Sequence, residues 1–117
     1  MFDGNEFAFC PMTYLLPEEY KKFCSERELH GNKHMYIMKP CDSACGKGIK
    51  IIGKTTTVKY KASKKYVLSE YIANPHLING LKYDLRIYVV VTSFEPLKIY
   101  LFKEGLVRFA TQKYTTN

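Results

Sequence analysis

Apolar and polar residues alternate along residues 82–92 more regularly than elsewhere in the chain. Successive side chains of a β-strand point to opposite faces, so this period of two predicts one continuous strand. The positions that would face the core are Tyr83, Leu85, Ile87, Val89 and Val91. A turn at 93–96 and an apolar run at 97–103 predict an antiparallel partner strand, and Glu104-Gly105 would turn the chain into a third strand over 106–110.

The amino-terminal part of the chain predicts an irregular segment followed by one helix. Residues 1–16 carry apolar side chains that would anchor the segment, namely Phe7, Phe9, Tyr14 and Leu16. Pro17 suits the first helical turn, and the two glutamates after it suit the positive end of the helix dipole. The helix is expected to continue to about Leu29, because Arg27 suits the negative end and Gly31 ends the helix.

Three short apolar runs predict strands at 34–39, 49–53 and 66–69. The first two are separated by a loop of turn formers and small residues at 40–48. The connection at 54–65 is polar and rich in lysine, so it is expected to be exposed and mobile. The alternating strand is preceded by two turns that asparagine favours, Asn74-Pro75 and Asn79-Gly80.

The composition is that of an ordinary globular protein, with 46% hydrophobic and 25% charged residues among 117. That length suits one modest domain but is small for a complete enzyme that binds two or three substrates. No apolar run approaches the roughly 18 residues that a membrane-spanning helix needs, and the first residues show no secretory signal. We therefore expect a soluble intracellular protein that has no membrane partner.

The net charge is +7, from 18 basic and 11 acidic residues. One interpretation is a lysine-rich surface that keeps the protein soluble. The other is a site for anions, such as nucleotide phosphates, nucleic acid or an acidic protein tail. Nucleic acid is the least favoured of these ligands, because the chain has no recognisable aromatic-basic motif. Charge by itself does not choose between the first two interpretations.

The cysteines suggest reduced thiols rather than a disulfide framework; they are Cys10, Cys24, Cys41 and Cys45. The last two lie four residues apart, as do His30 and His34, which loosely matches a zinc pattern of two histidines and two cysteines. However, Gly31-Asn32 would break a helix between the histidines, so their rings need not share a face. We therefore expect no metal site in this chain.

Lys82, Asp84 and Arg86 occupy the polar parity of the alternating strand and would share the face opposite the core set. A solvent-exposed sheet face can give the same row. Here Tyr88 and Val90 continue that parity, which is unlike a freely exposed face. A lysine, an aspartate and an arginine about 7 Å apart suit a polyphosphate and a sugar hydroxyl. We therefore favour a ligand site on this face.

The loop that contains Gly46-Lys47-Gly48 is a second candidate, because glycine lets backbone amides approach phosphate oxygens closely. It lacks the spacing of a Walker loop or a dinucleotide fingerprint, and an ordinary hairpin turn is the alternative. Lys39 ends the strand before this loop, where a phosphate ligand would lie. Arg108, on the last predicted strand, is a third candidate, although taken alone it would be a surface arginine. His76 lies in a turn and has no evident catalytic partner.

The order of these pieces resembles the tubulin–tyrosine ligase-like family, and most nearly its tubulin polyglutamylases. The similar runs are FCPMTYLLPEEYKKF (9–23), YIMKPCDSACGKGI (36–49) and VLSEYIANPHLINGLKYDLRIYVVVTSFEPLKIYLFKEGLVRFATQKYT (67–115). The resemblance implies an α/β (α+β) chain with a partial ATP-grasp fold, made mostly of antiparallel strands with a short amino-terminal helix. It also implies a reaction that uses ATP and Mg²⁺ to join a free amino acid to a protein carboxylate through an acyl-phosphate.

The resemblance implies a role for each matched residue. Lys39 would hold the ATP phosphates, and the flexible loop over those phosphates would comprise Cys45, Gly46, Lys47 and Gly48. The segment that borders adenine would be Ser69, Glu70, Tyr71 and Ile72. The nucleotide ligands of the K-[FY]-D element would be Lys82, Tyr83 and Asp84. The catalytic, phosphate-side arginine would be Arg86, and the residue that receives the carboxylate of the incoming glutamate would be Arg108.

Two positions depart from the family pattern, and both are expected to lower activity without abolishing binding. Cys45 stands where arginine, lysine or glutamine is usual, and Ser69 stands where glutamine is common. The Mg²⁺ ligands, an aspartate and a Glu-x-Asn pair, are expected beyond Asn117. Because the phosphate charge would lack its metal ion, we expect these 117 residues alone to be inactive.

The resemblance also implies an organisation into three parts. Residues 1–33 would be an amino-terminal segment and helix, 34–81 the small ATP-grasp lobe with its glycine loop, and 82–117 the start of the large-lobe sheet. The implied function of the full-length protein is glutamylation of the acidic tails of tubulin in microtubules, with free glutamate as the second substrate. The implied location is the cytoplasm and cytoskeleton, including the cilium or basal body. The alternative is a non-catalytic remnant that binds ATP or microtubules.

Overall fold

The computed structural model describes residues 9–44 and 46–115, and the chain divides into two compact units, Met1–Ala73 (unit 1) and Asn74–Asn117 (unit 2). The elements of unit 1 are β1 (Thr13–Leu16), α1 (Tyr20–Leu29), β2 (Tyr36–Pro40), β3 (Lys50–Ile52) and β4 (Tyr66–Glu70). The elements of unit 2 are β5 (Leu77–Ile78), β6 (Leu81–Arg86), β7 (Val89–Phe94), β8 (Leu97–Leu101) and β9 (Leu106–Lys113). Within the described ranges, no helix is long and apolar enough to cross a membrane.

Unit 1 is built on an antiparallel four-stranded sheet in the order β1-β4-β2-β3. Alternation along each strand places one set of side chains on one face, where they are buried. That face and the helix share one core cluster, which contains Tyr14, Leu16, Phe23, Tyr36, Met38, Ile52, Val58, Tyr66 and Leu68. The predicted strands at 34–39, 49–53 and 66–69 are therefore present as β2, β3 and β4, each shifted by one or two residues at its ends.

Phe23 is the contribution of α1 to this core and is 1% exposed. Its ring meets the ring of Tyr14 with centroids 5.3 Å apart and that of Tyr36 with centroids 5.0 Å apart, both edge-on. Such arrangements add to the gain from burial, because the positive edge of one ring approaches the negative face of another. The hydroxyl of Tyr14 donates to Glu26 Oε2 at 2.6 Å, which ties β1 to the same helix.

Arg27 of α1 is buried, and its hydrogen bonds hold the segment that follows β3 against the helix. Its Nη1 donates to the carbonyl of Thr56 at 2.9 Å, and its Nη2 donates to the carbonyls of Gly53 (3.0 Å) and Lys54. Its guanidinium also lies 5.6 Å from the Phe23 ring centre, a distance at which the ring face attracts a cation. The prediction of an exposed, mobile connection is wrong at Val58, which is buried in the core. Most other residues at 54–65 are exposed as predicted, and their mobility stays a prediction.

The amino-terminal prediction needs two corrections. Residues 13–16 form a strand rather than an irregular segment, since Leu16 and its neighbour two residues earlier alternate with exposed positions and pair with β4. Phe9 is 80% exposed and is therefore not a buried anchor, while Phe7 lies outside the described residues. The helix ends at Leu29 as predicted but begins at Tyr20, because Pro17 and the next two residues form a turn in which Glu19 N–H donates to the carbonyl of Leu15.

Unit 2 contains two antiparallel sheets, one in the order β5-β6-β9 and one that pairs β7 with β8. Asn79 and Gly80 join β5 to β6 with φ of 53° and 76°, the left-handed conformation that a two-residue hairpin turn requires. The predicted turn at this position and the predicted β7–β8 pairing are confirmed. The last predicted strand is also present and extends to Lys113.

The prediction of one continuous strand over 82–92 is wrong. The ladder breaks at Ile87 and Tyr88, because β6 pairs with β9 whereas β7 pairs with β8. The predicted core face is also not buried in the described chain: Leu85, Ile87 and Val89 are 60%, 59% and 54% exposed. A sheet buries a face only against a second layer, and the described part of unit 2 contains strands without a helix.

Candidate functional site

One face of the unit 1 sheet is covered by α1, and the other face is open. Two cross-strand rows line the open face: Leu15, Val67 and Lys39 form one row, and Thr13, Ser69, Ile37 and Ile51 form the other. Residues that are directly opposite in an antiparallel ladder point to the same side, so Lys39 stands among apolar neighbours. Its parity is opposite to that of the buried Met38, which explains why it is exposed.

The glycine loop connects β2 to β3 next to Lys39. Gly46 and Gly48 have φ of 74° and 75°, a region that side chains other than glycine rarely adopt. A Cβ added at Gly48 would also lie 3.0 Å from Pro40 Cγ, which is closer than normal contact. The exposed Lys47 stands between the two glycines, and its N–H donates to the carbonyl of Ala44 at 3.2 Å. The predicted loop residue Cys45 lies outside the described residues.

Hydrogen bonds hold the segment Ser69–Ile72, which includes the end of β4. Glu70 N–H donates to the carbonyl of Met12 at 2.9 Å, and Tyr71 N–H donates to the carbonyl of Met35 at 2.8 Å. In the described part of the chain, the next amide, that of Ile72, donates to no acceptor. A ligand that borders this segment would therefore find its backbone N–H donor at Ile72.

The side chains of the same segment are also held in place. The Ser69 hydroxyl lies 3.0 Å from the hydroxyl of Thr13, so the two form a hydrogen bond. Glu70 Oε1 lies 2.5 Å from Nδ1 of His34, a partner that sequence spacing did not reveal. Such long-range pairs leave no periodic signal, because they depend on which strands become neighbours. The side chains of Ser69 and Glu70 are thus both held by residues that are distant in the sequence.

Four predicted site residues of unit 2 line one cavity of about 320 Å³: Lys82, Tyr83, Asp84 and Arg108, together with Phe109 and Ala110. Asp84 and Arg108 lie opposite each other on β6 and β9. The fifth member of the predicted set in this unit, Arg86, does not line this cavity, although its positive charge acts on Asp84. Of the row Lys82, Asp84 and Arg86, the first two residues therefore line the cavity, and Arg86 lies outside it at the end of β6.

The ion pair of Asp84 and Arg108 shifts the pKa values of both groups in this cavity. Hydrogen bonds from the guanidinium lower the pKa of the Asp84 carboxyl below its ordinary value, with a smaller contribution from the charge of Arg86. The same contact raises the pKa of Arg108. Lys82 Nζ lies 5.7 Å from the centre of the Tyr114 ring. The cavity therefore presents one neutralised pair and one ammonium group.

His76 has a partner after all, contrary to the expectation from sequence. Its Nδ1 lies within hydrogen-bond distance of the Tyr83 hydroxyl, at 2.9 Å, and the two rings meet edge-on with centroids 5.8 Å apart. Tyr83 also approaches Phe109, with ring centroids 5.8 Å apart. His76 does not line the cavity itself, but it holds in place the ring of Tyr83, which does.

Comparison with known proteins gives a family model, described as the tubulin-tyrosine ligase family, that matches residues 2–117. The chain is 43% identical over 119 residues to a probable tubulin polyglutamylase TTLL2 of Homo sapiens, covering 97% of this chain and 20% of that protein. It is 40% identical over 121 residues to a probable tubulin polyglutamylase ttll-9 of Caenorhabditis elegans, covering 97% and 29%. It is 42% identical over 114 residues to tubulin monoglutamylase TTLL4 of Mus musculus, covering 97% and 9%. The chain thus spans less than a third of the length of these relatives.

Among solved structures, the carboxy-terminal domain of K. lactis Pby1, described as an ATP-grasp enzyme interacting with the mRNA decapping enzyme Dcp2, matches with a TM-score of 0.54 and 19% identity. The match covers 88% of this chain and 32% of that one. At this identity the likeness concerns the fold, and it agrees with the antiparallel strands and single short helix described above. The chain therefore has a partial ATP-grasp fold and belongs to the tubulin-tyrosine ligase family.

Proposed function

We propose that this chain is the nucleotide-binding part of an ATP-dependent carboxylate–amine ligase that adds glutamate to the acidic tails of tubulin. Family membership supports the ligase class, and the names of the relatives support tubulin and glutamate as substrates. The observation that carries the nucleotide assignment is the open face of the unit 1 sheet, where Lys39 stands beside apolar side chains and next to the glycine loop.

In unit 1 the open face offers what the two ends of ATP need. Adenine has two flat apolar faces, which suit the half-exposed aliphatic rows around Ile37 and Val67. The free N–H of Ile72 would donate to a ring nitrogen of adenine. The ammonium of Lys39 would bind phosphate oxygens, and the left-handed glycines leave room for phosphate beside the backbone.

In unit 2 the proposed ligands are Lys82, Asp84 and the two arginines. Lys82 would bind phosphate, Asp84 would accept a hydrogen bond from a ribose hydroxyl, and Arg108 would bind the carboxylate of glutamate. Arg86 would act on the phosphate side. Because Asp84 and Arg108 bind each other in the described chain, each must exchange that contact for its ligand. The strength of the pair therefore contributes to both affinities.

ATP-grasp enzymes use Mg²⁺ with ATP, and the ion neutralises the phosphate charge when it is bound. Residues 9–44 and 46–115 contain no group of three or more His, Cys, Asp or Glu side chains that could hold a metal ion. We therefore assign the metal no ligand in residues 9–44 and 46–115. That these 117 residues alone are inactive stays a prediction.

A titration of the 117-residue chain with ATP, followed by calorimetry, tests the nucleotide site. Lys39→Ala and Lys82→Ala each remove a charged hydrogen-bond donor, so each is expected to weaken binding about tenfold or more. Lys59→Ala is the matched control, because Lys59 is an exposed lysine outside both proposed sets. If both site variants bind ATP as tightly as the control, the assignment is wrong.

Ligase activity needs a separate measurement. The chain is incubated with ATP, Mg²⁺, glutamate and tubulin, and tubulin is analysed by mass spectrometry for added glutamate. We expect no addition by these 117 residues. Repeated additions in this assay would contradict the expected inactivity, while leaving the nucleotide assignment to be decided by the calorimetric titration.

The second candidate is a non-catalytic module that binds ATP or microtubules without turnover. The hydrogen bond between Ser69 and Thr13 favours it, because the short Ser69 side chain is occupied within the sheet instead of extending toward adenine. Ser69→Gln restores the residue common in relatives. Tighter ATP binding by this variant would support weakened nucleotide use in the natural chain, whereas unchanged binding would remove this argument.

A further inference from the structure

The rings of His30 and His34 lie together at the point where α1 ends, although the helix stops between them. Their centroids are 6.1 Å apart and the rings are nearly perpendicular. Gly31 and Asn32 adopt φ of 63° and 54°, so the chain reverses at once and brings the second histidine back beside the first. The helix break at Gly31 and Asn32, which argued against the two histidines sharing a face, therefore brings their rings together. Both rings line an open cavity of about 410 Å³.

The contacts of the two rings fix where each proton lies. His30 Nδ1 is 2.7 Å from the carbonyl oxygen of Glu26, which accepts hydrogen bonds but cannot donate. His34 Nδ1 is 2.5 Å from a carboxylate oxygen of Glu70, and two lone pairs would repel at that distance. Both Nδ1 atoms therefore carry the proton. When the rings are neutral, the lone pair of each lies on Nε2.

We propose that His30 and His34 form a binding site for a divalent transition-metal ion, with Nε2 of each ring as a ligand. The arrangement is the one that metal-binding histidines show, in which the other ring N–H is held by a backbone carbonyl or a carboxylate. Rings that share one ion lie roughly 5–6.5 Å apart, given metal–nitrogen bonds of about 2.0–2.1 Å. Water completes the coordination, since the described residues provide two ligands rather than three.

The ligand type determines which ions the site takes. Imidazole nitrogen suits Zn²⁺, Ni²⁺ and Cu²⁺, whereas Mg²⁺ and Ca²⁺ require oxygen ligands. Lys33 shares the cavity, and its positive charge opposes cations of both kinds, so the selectivity comes from the imidazole ligands. The site is therefore distinct in chemistry from the Mg²⁺ that accompanies ATP. It is linked to the segment Ser69–Ile72 through Glu70, whose carboxylate holds the His34 ring.

Calorimetric titration of the untagged 117-residue chain with ZnCl₂ tests the site. We expect His30→Ala and His34→Ala each to weaken Zn²⁺ binding about tenfold or more, and excess Mg²⁺ not to compete. His76→Ala is the matched control, because that histidine lies in unit 2 and binds Tyr83. Cys41→Ser tests the thiols and is expected to retain the affinity of the unchanged chain.

Two further measurements separate the site from unspecific binding. In nuclear magnetic resonance spectra, Zn²⁺ is expected to shift the Nε2 resonances of His30 and His34 and to leave that of His76 in place. Glu70→Gln keeps the side-chain length but no longer forces the proton onto Nδ1 of His34, so it is expected to weaken binding about tenfold. Binding that survives removal of both histidines, or that disappears with Cys41→Ser, would overturn the proposal.

Discussion

Asp84 and Arg108 face each other across β6 and β9 and form a two-point ion pair, with Arg108 Nε 2.8 Å from Oδ1 and Nη2 2.5 Å from Oδ2. Each residue was singled out separately in the sequence, one as a sugar ligand and one as a carboxylate ligand. Both side chains are more than half exposed, so water and salt weaken the attraction. The pair therefore bears more on ligand exchange and titration than on the stability of the chain.

Arg108→Gln is expected to raise the pKa of the Asp84 carboxyl toward its ordinary value of 3.8, because the hydrogen bonds from the guanidinium are the largest cause of its lowering. A carboxyl-detected magnetic resonance titration measures this shift. Arg86→Gln is the control and is expected to give a smaller rise, since Arg86 acts through charge alone. Equal shifts in both variants would mean that the ion pair is not formed in solution.

The same lowered pKa fixes the sign of the pH dependence. A carboxyl that is more acidic in the folded chain than in the unfolded chain stabilises the fold at pH values above its unfolded pKa. That contribution is lost as the pH falls through the lowered, folded-state pKa, below the ordinary 3.8. Unfolding midpoints measured between pH 6 and pH 2 should therefore fall less steeply for Asp84→Asn than for the unchanged chain. A steeper fall would contradict the sign.

Arg27→Met is expected to reduce the free energy of unfolding by about 2–4 kcal/mol, because three carbonyls lose their charged donor. Denaturant unfolding, followed by circular dichroism, gives this value. Lys22→Met is the control on the same helix, where a largely exposed lysine is expected to change stability by less than about 0.5 kcal/mol. Similar losses in the two variants would show that the contacts of Arg27 add little.

Phe23→Ala is expected to reduce the free energy of unfolding by about 3–5 kcal/mol, since it opens a cavity between the sheet and α1. Phe94→Ala makes the same chemical change at a side chain that is 83% exposed, and a change within about 0.5 kcal/mol is expected there. Thermal or denaturant unfolding of the two variants measures both changes in the free energy of unfolding. A larger loss at Phe94 would mean that its side chain is covered in solution.

Gly48→Ala and Gly46→Ala separate two requirements of the glycine loop. Both positions have left-handed φ, which costs alanine about 1–2 kcal/mol. At Gly48 the new methyl group would also lie 3.0 Å from Pro40 Cγ, whereas at Gly46 the nearest atom is 3.8 Å away. Gly48→Ala is therefore expected to lose more stability in denaturant unfolding. Equal losses would show that crowding against Pro40 is relieved without cost.

The sequence predicted the parts of the fold that local chemistry determines. The left-handed turn at Asn79-Gly80, the end of α1 and the β7–β8 hairpin follow from residues that lie side by side in the chain. The break at Ile87 was missed, because alternation continues through it and the partners of β6 and β7 are set by distant strands. Burial of Leu85 was likewise expected from pattern, although pattern cannot supply the layer that covers it.

In the candidate site, too, the sequence predicted what local chemistry determines and missed what distant residues determine. Strand parity was enough to align Lys82 with Asp84, since a period of two is a property of the strand itself. The contacts of His34 with Glu70 and of His76 with Tyr83 were not predictable, because each joins side chains from separate elements. Whether the predicted residues bind ATP and glutamate stays a prediction that the titrations above test.

The exposure of β7 has a consequence for the behaviour of the chain in solution. Residues 87–94 read IYVVVTSF, eight positions without a charge, a proline or a glycine, in a hairpin that pairs β7 with β8 alone among the described strands. Uncharged segments of high β-propensity with unpaired backbone edges are the material of intermolecular sheets. This chain is therefore expected to self-associate as its concentration rises. In a cell, chaperones would bind the exposed hairpin and proteases would cleave it until another surface covers it.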